Sequence, residues 1–261
     1  MEQLLTVDVS RCKQDGMCVA ECPSGCLEAD ADGRPVAADP SVCNGCGHCV
    51  AICPQDALTH SRVDAAGLRP TWRDIPAPEA VDGMLLGRRS TRVWSNRLVT
   101  RDVAEELLNV ARYAPTAVNT QQVGWIVTVS PEKVHELAGV IADFFIKSNG
   151  HPKYAALWNK GQDTFLRSAP ALAVATAVAD SNWGAADCAI ALTFMEIAAV
   201  SRGLGTCWAG LLTAAATHSE TVRQALGVPE GQAVRGGLML GYPKVRYPKV
   251  PPRNPARVSW L

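Results

Sequence analysis

Four cysteines, Cys43, Cys46, Cys49 and Cys53, closed by Pro54, restrict what this chain can fold into more than any other feature. They spell C-x2-C-x2-C-x3-C-P at every position. A cubane of iron and sulfide needs four anionic ligands converging on a small object, and a loop with a cysteine every third residue wraps three of its corners. An upstream run, Cys12 to Pro23, repeats the template with one departure: Asp15 stands where the second cysteine belongs. The fourth cysteine of each such run ligates the other cluster. The complete site is therefore expected to use Cys43, Cys46, Cys49 and Cys22, and the other Cys12, Cys18 and Cys53 with Asp15 facing the remaining iron.

A carboxylate is a harder ligand than a thiolate and suits that iron less well. The first cluster is thus expected as [4Fe–4S] with Asp15 bound, or as [3Fe–4S] without that iron. The spacing speaks against zinc, which favours paired C-x2-C groups. Loss of the first cluster is countered by the retention of Cys12, Cys18 and Cys53. Cys26 reads either as a spare ligand or as a small buried apolar residue. His48, inside the second loop, reads as a hydrogen-bonding or surface residue. Together the runs resemble a bacterial two-cluster ferredoxin.

Lys plus Arg equals Asp plus Glu at 25 each, so no basic excess points to nucleic acid. No apolar run is expected to span a membrane, and Met1 to Asp8 lacks the basic start and apolar stretch of a secretion signal. A disulfide framework is therefore not expected, and the protein is read as cytoplasmic.

The texture changes after residue 62. Residues 1–62 read as the iron–sulfur domain, 63–79 as a linker marked by Gly67, Pro70, Pro76 and Pro78, and 80–261 as a larger domain. There the pattern predicts helices over 79–87, from Thr100 to before Pro115, from Ser130-Pro131 onward, over 184–202 and over 219–226. Strands are predicted over 123–129 (buried), 171–178, 205–210 and 234–240. The order suggests α+β, with a small mixed or antiparallel sheet under helices. No G-x-G-x-x-G marks a Rossmann unit.

Three segments of the larger domain carry chemistry. Arg88-Arg89-Ser90-Thr91-Arg92 offers guanidinium forks and hydroxyls suited to a phosphate. Ala114 to Gln122 offers backbone amides, hydroxyls and side-chain amides. The tail from Gly241-Tyr242-Pro243 to Arg253 holds another cation on proline-stiffened backbone. In this order, and with the Gly203-Leu204-Gly205-Thr206-Cys207-Trp208 turn, these segments resemble the nitroreductase family, over about residues 80 to 261. The whole chain looks like a ferredoxin–nitroreductase fusion. It departs from the family at Gln122-Val123, where Pro-Trp is usual, and at Ala209, where many members carry an acid.

The resemblance implies FMN bound at the interface of an intertwined homodimer. Arg88, Arg89, Ser90 and Arg92, joined by Arg253, would hold the phosphate and ring edge. Pro115, Thr116, Asn119 and Gln121 would lie along the isoalloxazine and ribityl chain, partly from the neighbouring subunit, and Gly210 would approach the ring with backbone only. No catalytic side chain is assigned, and Asp187 reads as a helix-start residue rather than an acid. The expected function is an oxidoreductase that passes electrons through two iron–sulfur clusters to FMN and on to a small electron-poor acceptor, such as a nitroaromatic, quinone or activated alkene. The alternative is an electron-transfer protein serving a protein partner. Because clusters are superfluous to hydride transfer, the expected donor is reduced ferredoxin or another low-potential carrier.

Overall fold

Cysteine loops need a frame, and in the computed structural model, which describes residues 3–261, that frame is two pairs of three-residue strands. The chain runs β1 (Leu5–Val7), the single turn α1 (Met17–Ala20), β2 (Leu27–Ala29), β3 (Pro35–Ala37), α2 (His48–Ile52) and β4 (Leu58–His60). Strand β1 pairs antiparallel with β4, with Leu5 opposite His60, and β2 pairs antiparallel with β3. The chain divides into two units, one reaching to Ile75 and including Val118–Thr120, the other comprising Pro76–Ala117 and Gln121–Leu261.

The first unit has little apolar core. Leu4, Leu5, Leu27 and Val50 are buried with Cys18, Cys26 and Cys49. Each buried aliphatic side chain contributes about 1.5–3 kcal/mol, whereas each ordered residue costs about 1–2 kcal/mol of backbone entropy. In a unit with so few buried aliphatic side chains, bound metal would add to stability directly.

The second unit continues with α3 (Pro78–Gly87), α4 (Arg101–Ala111), β5 (Gly124–Thr128), α5 (Pro131–Lys147), α6 (Pro152–Trp158), β6 (Ala171–Val178), α7 (Gly184–Ser201), β7 (Gly205–Trp208), α8 (Gly210–His218), α9 (Glu220–Leu226) and β8 (Gln232–Gly241). Its four strands form a sheet in the order β5-β6-β8-β7, antiparallel at every pairing. Alternation along β6 sorts the two faces. Leu172 and Val174 enter a core with α5, α8 and α9. Ala171, Ala173, Ala175 and Ala177 point the other way, where α4 and α7 pack. Small side chains on that face let α7 lie close: a Cβ at Gly184 would stand 2.7 Å from the Ala177 Cβ.

Two expectations are corrected. Strand β5 is half-buried rather than buried, since as an edge strand it pairs only with β6. Helix α7 is long and apolar enough to cross a membrane by length and composition, contrary to the reading that no apolar run comes near that length. Its burial against β6, β8 and α4 makes it a core helix.

Candidate functional site

The two cysteine runs fold as copies of each other. The residue before the second ligand position is left-handed in both, Gln14 at φ 56° and Gly45 at φ 64°. So is the residue after it, Gly16 at φ 71° and Gly47 at φ 77°, each leading into a single helical turn. Left-handed backbone is natural for glycine and costs an ordinary residue about 1–3 kcal/mol, so Gln14 holds the shape at a cost. Asp15 thus occupies the backbone position that Cys46 occupies in the complete run. Its Oδ1 accepts the Met17 N–H at 3.2 Å, leaving the second carboxylate oxygen for another partner.

Two cavities follow. Cys12, Asp15, Cys18 and Cys53 line one, and Cys22, Cys43, Cys46 and Cys49 line the other, together with Cys26 and His60. Each cavity takes three positions from one run and the fourth cysteine from the other. Among the described residues, no three His, Cys, Asp or Glu side chains converge as a single ion would require. Four donors spread around a cavity instead suit a body of several irons. The donor set, seven thiols and one carboxyl, fits such clusters.

Electrostatics differ from corner to corner. Burial pushes the Cys49 thiol up to about 11 and raises that of Cys18. Cys26, 1 % exposed, is pushed up to about 11 by burial and by the neighbouring Cys43 and Cys22 sulfurs, so it stays protonated. At Cys22 burial acts upward, but the Ser24 hydroxyl and nearby backbone amides outweigh it and hold the thiol below its ordinary value. Amides also reach sulfur at Cys43, from Gly45 at 3.4 Å, and at Cys53, from Ala57 at 3.3 Å. His60, which the sequence reading missed, places Nε2 3.3 Å from Cys43 Sγ. A lone histidine past the second run carries no signal until β4 is paired with β1.

In the second unit, the segment after α3 is stitched to β7. Ser90 bridges Thr206, and the Thr91 N–H donates to the Thr206 carbonyl at 2.8 Å. The Arg88 guanidinium lies 3.4 Å from Glu196, a carboxylate 6 % exposed that also accepts the Thr206 hydroxyl. Arg89 is engaged locally, donating to the carbonyls of Leu86 at 2.7 Å and Arg88 at 2.5 Å. Arg92 and Gly210 line one cavity with Arg167, Tyr154 and Trp208. A Cβ at Gly210 would meet nothing within 4 Å, so a flat ring can approach that backbone.

The loop after α4 is unusual. Val118, Asn119 and Gln121 have φ of 44°, 57° and 50°, and such strain persists only where surroundings impose it, often at functional sites. Two hydrogen bonds flank it. Buried Asp187, in the first turn of α7, accepts the Ala117 N–H at 3.0 Å, and Thr116 Oγ1 accepts the Gln121 N–H at 3.0 Å. Pro115, Thr116, Asn119, Gln121 and Arg253 do not line the cavity of Arg92 and Gly210. Arg253 lies in an irregular, exposed C-terminal stretch. Glu196, Arg167 and Tyr154 were not singled out from sequence, since each gains its place only through distant neighbours.

The profile of the Nitroreductase family matches residues 85–242, more than half of the chain. The chain belongs to the Nitroreductase family. A profile of the 4Fe-4S dicluster domain matches residues 4–54. The protein is thus a nitroreductase-family oxidoreductase with an N-terminal ferredoxin domain, the fusion expected from its motifs. A curated relative from Archaeoglobus fulgidus, provisionally named NADH dehydrogenase/NAD(P)H nitroreductase, is 29% identical over 161 residues, 62% of this chain and 84% of the relative. A solved Bacteroides fragilis nitroreductase with bound FMN is 25% identical, with a TM-score of 0.61 over 71% of this chain and 100% of that one. A Desulfitobacterium hafniense nitroreductase with bound FMN, 21% identical with a TM-score of 0.58 over 71% of this chain and 100% of that one, shares the fold.

Proposed function

We propose that this nitroreductase-family protein takes up electrons one at a time at two iron–sulfur clusters in residues 1–62 and delivers them in pairs, through FMN held by residues 80–261, to a small electron-poor acceptor. Residues 63–79 act as the linker. Nitroaromatics, quinones and activated alkenes are the acceptor class. The observation that carries the reading is the exchange of fourth cysteines: Cys53 lies in the cavity of Cys12, Asp15 and Cys18, and Cys22 in that of Cys43, Cys46 and Cys49. Two adjacent clusters sharing loops in this way form a relay for single electrons.

Bound FMN supplies the exchange between one- and two-electron chemistry. This chain contributes the surroundings. Arg92 and Arg88 supply cations for the phosphate and for the ring edge that becomes anionic on reduction. Ser90 is held beside β7, and Gly210 offers backbone without a side chain in the way. Arg89 has the weakest claim, because its guanidinium already serves the end of α3. Pro115, Thr116, Asn119, Gln121 and Arg253 belong, in this reading, to a site completed by a second copy of the chain. The exposed stretch after Tyr242 carries Val245, Tyr247, Val250, Val258 and Trp260, apolar side chains that a homodimer would cover. Thiolate-rich sites suit a reducing compartment, which supports a cytoplasmic location.

The test is isolation without oxygen, followed by iron, sulfide and flavin analysis and turnover of a quinone or nitroaromatic with reduced ferredoxin. The reading expects coloured protein carrying both cofactors, and acceptor-dependent oxidation of the donor. Colourless material free of iron and flavin overturns it.

A further inference from the structure

We propose that His60 is a positioning and tuning residue for the second cluster, donating its Nε2–H to the Cys43 sulfur and so raising that cluster's reduction potential above that of an otherwise identical site. The inference rests on the reading that Cys22, Cys43, Cys46 and Cys49 hold an iron–sulfur cluster. His60 ends β4, is 4 % exposed, and lines the second cavity.

Its tautomer is set by the backbone. Nδ1 accepts the Arg62 N–H at 3.0 Å, so Nδ1 carries no proton and the hydrogen of the neutral ring sits on Nε2. Nε2 in turn lies 3.3 Å from Cys43 Sγ, within reach for an N–H to sulfur bond. Arg62 grips the same residue from its other end, donating to the Cys43 carbonyl at 2.7 Å. The short segment His60-Ser61-Arg62 therefore clamps one cluster corner by sulfur and by oxygen. Register keeps it there, since β4 is paired to β1 with His60 opposite Leu5.

Reduction adds negative charge to a cluster, much of it on sulfur, and a fixed donor aimed at a ligand sulfur favours the more negative state. No side-chain donor of this kind is found at Cys53, which receives only the Ala57 amide among the hydrogen bonds of the described residues. The effect should therefore be confined to one cluster of the two, which makes the other an internal control.

EPR-monitored redox titration of the anaerobic holoprotein tests this, wild type against His60→Leu and His60→Gln. The expected result is a downward shift of one cluster's potential in His60→Leu, partial recovery in His60→Gln, whose amide can still donate, and no change at the other cluster. Unchanged potentials in a fully loaded His60→Leu protein overturn the proposal. Should both variants fail to load, histidine-labelled (15N) protein carrying His48→Gln decides, since His60 is then the only histidine lining that cavity. A 15N coupling on the reduced cluster supports the bond and its absence sinks it. Protein without any cluster in the wild type would instead strike down the underlying functional reading.

Discussion

Asp15 is the residue on which the proposed electron path turns most sharply. It replaces a thiolate yet keeps the left-handed neighbours of a ligand, Gln14 before it and Gly16 after it. That retention is difficult to explain if the first site were merely a relic, because Gln14 would then bear its strain for nothing. Replacing Asp15 with Cys should give an all-thiolate corner. The expected outcome is loss of any three-iron EPR signal and a rise in iron content, and an unchanged signal would show that Asp15 does not face the labile iron. A second residue makes a structural prediction. Glu196 is buried and accepts from both Arg88 and Thr206, so Glu196→Ala leaves the Arg88 guanidinium without its carboxylate and the Thr206 hydroxyl without its acceptor. Denaturant unfolding should show a loss of about 1–3 kcal/mol, with flavin retention falling as Arg88 loses its orientation. The contrast between these two sites explains what was legible in the sequence. Cysteine spacing announces its own chemistry within a dozen residues. Glu196 and His60 acquire theirs from β7 and from Cys43, at separations that no local pattern encodes.

At the scale of elements, strong periodicity and clear caps were readable. Thr100 accepts the Val103 N–H and Ser130 the Lys133 N–H, and both open the expected helices. Strand β6 and helix α7 begin where their apolar runs begin. Helix α8 was not recognised, because Gly210 at its start looked like the end of a strand that in fact stops at Trp208. Helix α6, as short as α9, opens without the side-chain cap that Ser219 gives α9, and β1 to β4, three residues each, are too short to show alternation. Sheet packing around the site gives the prediction at this level. Gly241 on β8 faces Gly205 on β7. A Cβ at Gly241 would stand 2.7 Å from both Pro170 Cγ and Trp94 Cε3, a ring and an indole with no flexible end to yield. Gly241→Ala should therefore destabilise the second unit by about 1–3 kcal/mol, read as a lower Tm, while the iron–sulfur absorbance of the first unit persists. An unchanged Tm would mean that the loop carrying Trp94 is free to move aside.

For the whole molecule the proposed relay turns on its electron donor, and here family likeness and architecture pull apart. The Archaeoglobus relative carries NAD(P)H in its name, and a nicotinamide delivers a hydride straight to a flavin. Such a donor needs no iron–sulfur cluster to reach the flavin, since clusters pass one electron at a time. This chain nonetheless carries a 4Fe-4S dicluster domain, with seven cysteines lining its two cavities, and holds Gln14 in left-handed backbone beside one of them. Those features are costly unless the clusters carry current. The expected donor is consequently a low-potential one-electron carrier such as reduced ferredoxin. Stopped-flow reduction of the bound flavin should be fast with reduced ferredoxin and slow with NADH or NADPH. Disabling the second cluster by Cys46→Ser should abolish the ferredoxin-driven phase while leaving the residual nicotinamide rate where it was. Rapid bleaching by NADPH in that variant would reverse the assignment and leave the first unit to some task other than supplying the flavin. Slow reduction by every donor, in protein with full cofactor content, would point instead to the clusters as the exit and to a reduced organic substrate as the source.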